Sequence, residues 1–194
     1  MRYCIFGGSF DPPHEGHRYL AQSACDSLNL DRIFWVPAPD PPHKSKPGTP
    51  FDQRVDMVKL FLGNGPKQTV SDIERDLPAP SYSLNTIRAM QDLYGHEQDW
   101  HFLIGADNWS IFPTWHRYQE VLKAVTMVVF PRKGYPIGAL PPGVMKLNLP
   151  EMRIQSRRIR EVLAATRDFD QALVPSEIRP YIVKHNLYGM GASA

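Results

Sequence analysis

Two histidines three residues apart, His14 and His17, stand in the segment GGSFDPPHEGH that runs from Gly7 to His17. On a helix that spacing puts both imidazoles on one face of one turn. Ring N–H groups there can donate to phosphate oxygens, and the unpaired main-chain N–H groups of a helix start add the positive end of the helix dipole. Gly7 and Gly8 lack a Cβ, so the chain can turn sharply and a ligand can come within hydrogen-bonding distance of the backbone. Asp11 is expected to cap the helix, with prolines suiting its first positions because their missing donor would be unpaired anyway. Gly16, between the histidines, leaves room for a bulky ligand. A zinc pair competes with this reading, but no third ligand follows at an evident spacing, so phosphate chemistry is preferred. The segment fits neither G-x-G-x-x-G nor a phosphate loop with its lysine.

Such a turn has to be held by a scaffold. The runs RYCIF, RIFWVP, QTVSDI, WHFLIG and TMVVFP read as strands, alternating with helical patterns over residues 18–28, 51–62, 84–94 and 118–124. Two further helices are expected at 156–165 and 176–185. This alternation predicts an α/β fold, a Rossmann-like open parallel sheet with helices on both faces and a small C-terminal helical portion. The proline-rich stretches PAPDPPHKSKPGTP and LPAPSYS follow the second and third strands. They fall on the edge where open α/β sheets hold ligands, and loops there often close on substrate.

Composition bounds the partners. With 194 residues and no composition shift, the chain is read as one domain, 1–194. Its 22 basic and 20 acidic side chains leave a net charge of +2, so no global field points to nucleic acid. No stretch approaches the roughly 20 apolar residues of a membrane span, and the apolar part of MRYCIFGGSF is too short for a signal peptide. A cytoplasmic location is expected. Cys4 and Cys25 have no metal-type spacing and are expected to be reduced, buried thiols.

The opening segment resembles the signature of the nucleotidylyltransferase superfamily: a glycine pair, Ser or Thr, Phe-Asp-Pro and H-x-G-H. Gly7, Gly8, Ser9, Phe10, Asp11, Pro12, His14, Gly16 and His17 match it. Three more segments are similar to the bacterial nicotinate-nucleotide adenylyltransferases: PPHK at 41–44, PSYSLNTI at 80–87, and LIGADNWSIFPTWHRYQEVL at 103–122. The pattern of Gly105, Asp107, Phe112 and Trp115 is the most discriminating, and phosphopantetheine adenylyltransferases are not expected to carry it. The resemblance implies transfer of an adenylyl group from ATP, with Mg²⁺ on its phosphates, to nicotinate mononucleotide, with no covalent intermediate.

It also implies roles. His14 and His17 would stabilise the transferring phosphoryl group, with Lys44 and Arg160 on the triphosphate. Gly7, Gly8, Ser9, Phe10, Gly16, Gly105, Asp107, Arg132, Ser156 and Arg157 would complete the ATP site. Gly8, Ser9, Lys44, Ser83 and Trp115 would receive the mononucleotide, Trp115 by stacking on its planar ring. Asp107 is placed either to accept from ribose hydroxyls or to cap the next helix. Trp109, Phe112 and Trp115 could equally form one buried helix face, although Pro113 breaks that helix and frees Trp115 to face a pocket.

The C-terminal signature departs from the pattern I-S-x-T-x-I-R. In RIQSRRIRE, residues 153–161, Gln155 stands where Ser is usual and Arg157 where Thr is usual. Ser156 is expected to serve as N-cap, and Arg157 adds positive charge near the leaving pyrophosphate. The basic residues from Arg153 to Arg160 could also be a solvated helix face. Two other functions remain open at this point: another nucleotidylyltransferase, such as one acting on phosphopantetheine, and a non-catalytic nucleotide- or RNA-binding module. The latter would need basic and aromatic residues interleaved over a surface, which the sequence lacks.

Overall fold

The computed structural model describes residues 1–43, 47–150 and 154–190. Strands β1 (Arg2–Gly8), β2 (Arg32–Pro37), β3 (Gln68–Val70), β4 (Asp99–Gly105), β5 (Thr126–Phe130) and β6 (Val144–Lys146) form one sheet. Their order is β3-β2-β1-β4-β5-β6, and every neighbouring pair is parallel. The five expected strands are all present. The sixth, VMK, has too short an apolar run to stand out in sequence and is recruited by pairing with β5.

Side chains alternate along β1, so Cys4 and Phe6 join one core while Tyr3 and Ile5 join another on the opposite face. The first core is closed by α1 (Glu15–Leu28) and α2 (Phe51–Leu62), and by α6 (Ser156–Thr166) and α7 (Arg179–Lys184) through Ile159, Leu163 and Ile182. The second is closed by α3 (Ser83–Tyr94), α4 (Ala106–Ser110) and α5 (Tyr118–Ala124), through residues such as Leu84, Ile87, Ala106 and Val121. The stretch expected as one helix over 176–185 is a 3-10 turn, Ser176–Ile178, leading into α7. Pro180 near the start of α7 accounts for the break, since it cannot donate to a preceding turn.

Strand order reverses between β1 and β4. A crevice opens beyond the carboxyl ends of those strands, the position where open parallel sheets bind ligands. Gly7 and Gly8 end β1 there, and Gly105 ends β4. Both cysteines are free and buried, as expected, and burial pushes the Cys25 thiol up to about 11 and Cys4 beyond it. Among the described residues no helix is long and apolar enough to cross a membrane.

Candidate functional site

The loop after β1 is shaped by its own side chains. Phe10 adopts a left-handed backbone, φ 47°, and its buried ring lies against Gly8, where a Cβ would come within 3.0 Å of it. Gly8 is therefore required by the ring it packs on. Four side chains from distant elements grip the loop's backbone and Asp11. Arg54 of α2 donates to the Ser9 carbonyl at 2.7 Å, Arg160 of α6 to the Asp11 carbonyl at 2.6 Å, and Ser156 to the Pro12 carbonyl at 2.9 Å. The Tyr188 hydroxyl donates to Asp11 Oδ1 at 2.6 Å.

Asp11 is thus not the N-cap of α1. That position belongs to His14, whose main-chain N–H donates to His17 Nδ1 at 3.3 Å. The helix begins at Glu15, three residues before the 18–28 pattern, with His14 at its cap. The two imidazoles stack, centroids 3.7 Å apart with 22° between planes. His17 is packed edge-on against Phe10 and faces the cleft; His14 is buried behind it, 2 % exposed, and its Nδ1 has no hydrogen-bond partner among the described residues. Burial, with the nearby Arg132 guanidinium, pushes the His14 pKa down to about 3. Gly16 gives space to this ring: a Cβ there would lie 3.0 Å from it.

Two cavities share the wall Gly7-Gly8-Ser9. The larger, about 390 Å³, is bounded by Phe10, Asp11, His17, Ser156, Arg157 and Arg160. Ser156 is the first residue of α6, not its cap, which is Gln155; its hydroxyl is committed to Pro12. Arg157 reaches largely into solvent and pairs with Glu161 at 3.0 Å, so its charge is partly spent locally. At the end of β4, Asp107 and Arg132 form a loose pair at 3.8 Å, and both interacting atoms are buried without a hydrogen bond. Asp107 is the second residue of α4, whose cap is Gly105. A Cβ on Gly105 would fall 2.2 Å from Asp107 Oδ1.

The second cavity is smaller, about 90 Å³, and more aromatic. Gly8, Ser9, Ser83 and Trp115 all line it, with His43 and Asn108. Trp115 and His43 lie parallel within 16° at 5.9 Å, and the indole Nε1 is buried without a hydrogen-bond partner among the described residues. α4 stops at Ser110 and Pro113 lies in a separate 3-10 turn, so the competing reading of one helix face through 109–115 fails and Trp115 leaves the line of Trp109 and Phe112. Phe112 is buried, Trp109 stacks on it half-exposed, and Trp115 turns to the cavity. Ser83 opens α3, a twelve-residue helix whose first N–H groups have no intrahelical acceptor. Reciprocal bonds between Asp40 and Ser81, at 2.9 and 3.2 Å, tie the loops after β2 and β3 together.

Lys44 and Arg153 lie outside the described residues. Sequence reasoning missed Arg54, Glu74 and Tyr188. Arg54 and Glu74 sit in ordinary polar-and-apolar patterns, and Tyr188 carries no motif, so only the fold reveals that all three reach the site.

Known proteins resemble this chain in sequence and in fold. A sequence model of the cytidylyltransferase-like family matches residues 5–162. A probable nicotinate-nucleotide adenylyltransferase of Thermus thermophilus is 39% identical, the alignment covering 97% of this chain and 100% of the relative. Another, of Gloeobacter violaceus, is 37% identical over 100% of this chain and 98% of the relative. The fold matches that of Plasmodium falciparum nicotinic acid mononucleotide adenylyltransferase complexed with NaAD, with a TM-score of 0.80, 23% identity and 98% of each chain covered. With its histidine pair at a helix start, its glycine-walled twin cavities and relatives alike over their whole length, this chain belongs to the nicotinate-nucleotide adenylyltransferase family of nucleotidyltransferases.

Proposed function

We propose that this protein transfers the adenylyl group of MgATP to nicotinate mononucleotide, giving deamido-NAD and pyrophosphate. The observation that carries the reading is the wall Gly7-Gly8-Ser9, shared by a cleft edged with His17 and Arg160 and by an aromatic cavity edged with Trp115 and Ser83. Two substrates placed in the two cavities meet at that wall. A phosphate oxygen of the mononucleotide attacks the α-phosphorus of ATP in line, the new P–O bond forms, and the bond to pyrophosphate breaks. No general base is needed, because the attacking phosphate is already ionised near neutral pH.

The chain's work is positioning and neutralisation. His17 meets the transferring phosphoryl group from the cleft wall, and a shift of the His14 ring stacked behind it would bring a second donor to a phosphate oxygen. Arg160, Arg157 and the N-terminal turn of α6, where Ser156 sits, favour the departing pyrophosphate, with Lys44 on the outer phosphates. Main-chain N–H groups of the Gly7–Phe10 loop serve both phosphates. Gly16 keeps His14 in place, and Gly105 does so for Asp107, which with Arg132 serves the nucleoside side of ATP. Trp115 offers a face for the pyridine ring, and the start of α3 at Ser83 offers N–H donors for its carboxylate.

Among the described residues no three His, Cys, Asp or Glu side chains cluster as a metal cage. Mg²⁺ takes oxygen ligands and keeps several waters, so it would be carried by the phosphate oxygens of ATP and would neutralise charge on the triphosphate. The whole chain, 1–194, is read as one catalytic domain working in the cytoplasm.

A pyrophosphate-release assay tests the reading. MgATP or MgCTP is paired in turn with nicotinate mononucleotide, nicotinamide mononucleotide and phosphopantetheine. Release with MgATP and nicotinate mononucleotide is expected to dominate. Dominant release with phosphopantetheine, or with CTP, would overturn the assignment, and so would no release with any pair.

A further inference from the structure

Glu74 belongs to a 3-10 turn, Ile73–Arg75, directly after β3, and its carboxyl lines the aromatic cavity at 6 % exposure. Oε1 accepts from the Thr86 hydroxyl at 2.6 Å, whereas Oε2 is buried and within hydrogen-bond distance has no partner among the described residues. The groups that face this carboxyl come from several elements. They are the hydroxyls of Ser81 and Thr86, the Arg54 guanidinium, Asp40 and Arg75 across an adjoining cavity, and His43 and His116 on the opposite wall. Neither arginine closes on Glu74. Arg75 is held by Asp52 and Asp72, and Arg54 is occupied by the carbonyls of Ser9 and Thr49.

Burial favours the neutral form of a carboxyl that no arginine pairs with directly, and it pushes the pKa of Glu74 up against the opposing pull of the Thr86 and Ser81 hydroxyls and the Arg54 charge. Protonated, it presents an O–H donor beside a cavity already bordered by the N–H groups of α3. Ionised, it presents only acceptors and a negative charge. An aromatic carboxylate and its amide, alike in shape, respond to those two states in opposite ways.

We infer that Glu74 determines specificity: in its protonated form it donates to the carboxylate of the aromatic substrate, and in its ionised form it repels that carboxylate and favours the amide. The inference rests on reading the aromatic cavity as the pyridine pocket. It gives the preference of the site for acid over amide a dependence on pH.

The test is the ratio of kcat/KM for nicotinate mononucleotide to that for nicotinamide mononucleotide, followed across the whole pH range in which the protein stays folded, because burial raises the Glu74 carboxyl above its ordinary value. Titration of the phosphate common to both substrates cancels in the ratio. In the natural protein the ratio should fall about tenfold or more as pH rises, the size of one new like-charge contact at partial burial. In Glu74→Gln, which keeps a donor and cannot ionise, it should stay flat. The same slope persisting in Glu74→Gln would assign the titration to His43 or His116 and overturn the inference. A second measurement needs no variant and no turnover. The isotope-labelled carboxyl resonance of Glu74 in the natural protein should titrate at higher pH with nicotinate mononucleotide bound and not with the amide; equal values would overturn the inference as well. A protein that turns over neither mononucleotide fails the proposed reaction itself, whereas good turnover with a flat ratio in the natural protein fails only the role of Glu74.

Discussion

The hydroxyl of Tyr188 donates to Oδ1 of Asp11 across 2.6 Å, although 177 positions separate the two residues. Asp11 is 3 % exposed, and its neighbouring carbonyls are held by Arg160 and Ser156. The last turn of the described chain therefore locks the first loop of the site. Burial beside this carboxylate also pushes the Tyr188 phenol well up, so it remains a donor throughout the physiological range.

Removing that donor leaves a buried carboxylate oxygen unpaired. Tyr188→Phe is expected to cost about 1–3 kcal/mol in urea unfolding. It should also raise the KM for ATP, because the loop that carries Gly7 to Phe10 loses one of its four side-chain holds. Stability equal to that of the natural protein would show that Asp11 does not depend on Tyr188.

His14→Ala removes one ring of the stacked pair and leaves the cleft wall of His17 in place. The expected result is a fall in kcat of about 100-fold with little change in either KM, the behaviour of a donor used mainly in the transition state. Steady-state kinetics with both substrates varied separates this from a binding defect. Unchanged turnover would reject the role of His14 in the phosphoryl transfer.

His14 also sets a pH dependence of folding. Its pKa falls from 6.5 to about 3 on folding, so between those values the unfolded chain binds a proton that the native state does not. Stability is then complete above about pH 6.5 and declines as pH falls towards 3, by up to about 1.4 kcal/mol per pH unit from this group. Urea denaturation of the natural protein and His14→Asn at pH 7 and pH 5 checks this. The natural protein should lose more stability between the two pH values than the variant does.

Gly105→Ala places a methyl 2.2 Å from the present position of Asp107 Oδ1. The backbone there is extended and tolerates alanine, and a carboxylate end can swing aside, so the fold should persist. The displaced Asp107 should raise the KM for ATP several-fold while the KM for the mononucleotide holds. Circular dichroism and two-substrate kinetics on the same preparation decide the point.

Trp115→Ala tests the other cavity. Loss of a stacking face is worth about 1 kcal/mol or somewhat more, hence a rise of about fivefold or greater in the KM for nicotinate mononucleotide with the ATP value unchanged. A rise confined to ATP would exchange the assignments of the two cavities.

The sequence by itself determined the alternation of strands and helices, the glycines at the ends of β1 and β4, and the closeness of His14 to His17. Each of these is written in a short window, where side-chain period, missing Cβ atoms and spacing act directly on the local chain. It also marked Trp115 as separate from its aromatic neighbours, because Pro113 ends a helix wherever it occurs. Only the tertiary structure decided that Asp11 is a buried anchor instead of a cap, that Ser156 is committed to Pro12, and that β6 joins the sheet. Those outcomes depend on partners more than a hundred residues away for the first two and, for the third, on an edge of β5 that has to exist before VMK can pair with it. The same holds for Arg54, Glu74 and Tyr188, whose positions around the loop arise from crossovers packing on both faces of one sheet. Local propensity is silent on such contacts, since the free energy that fixes them is gained only when the whole core closes.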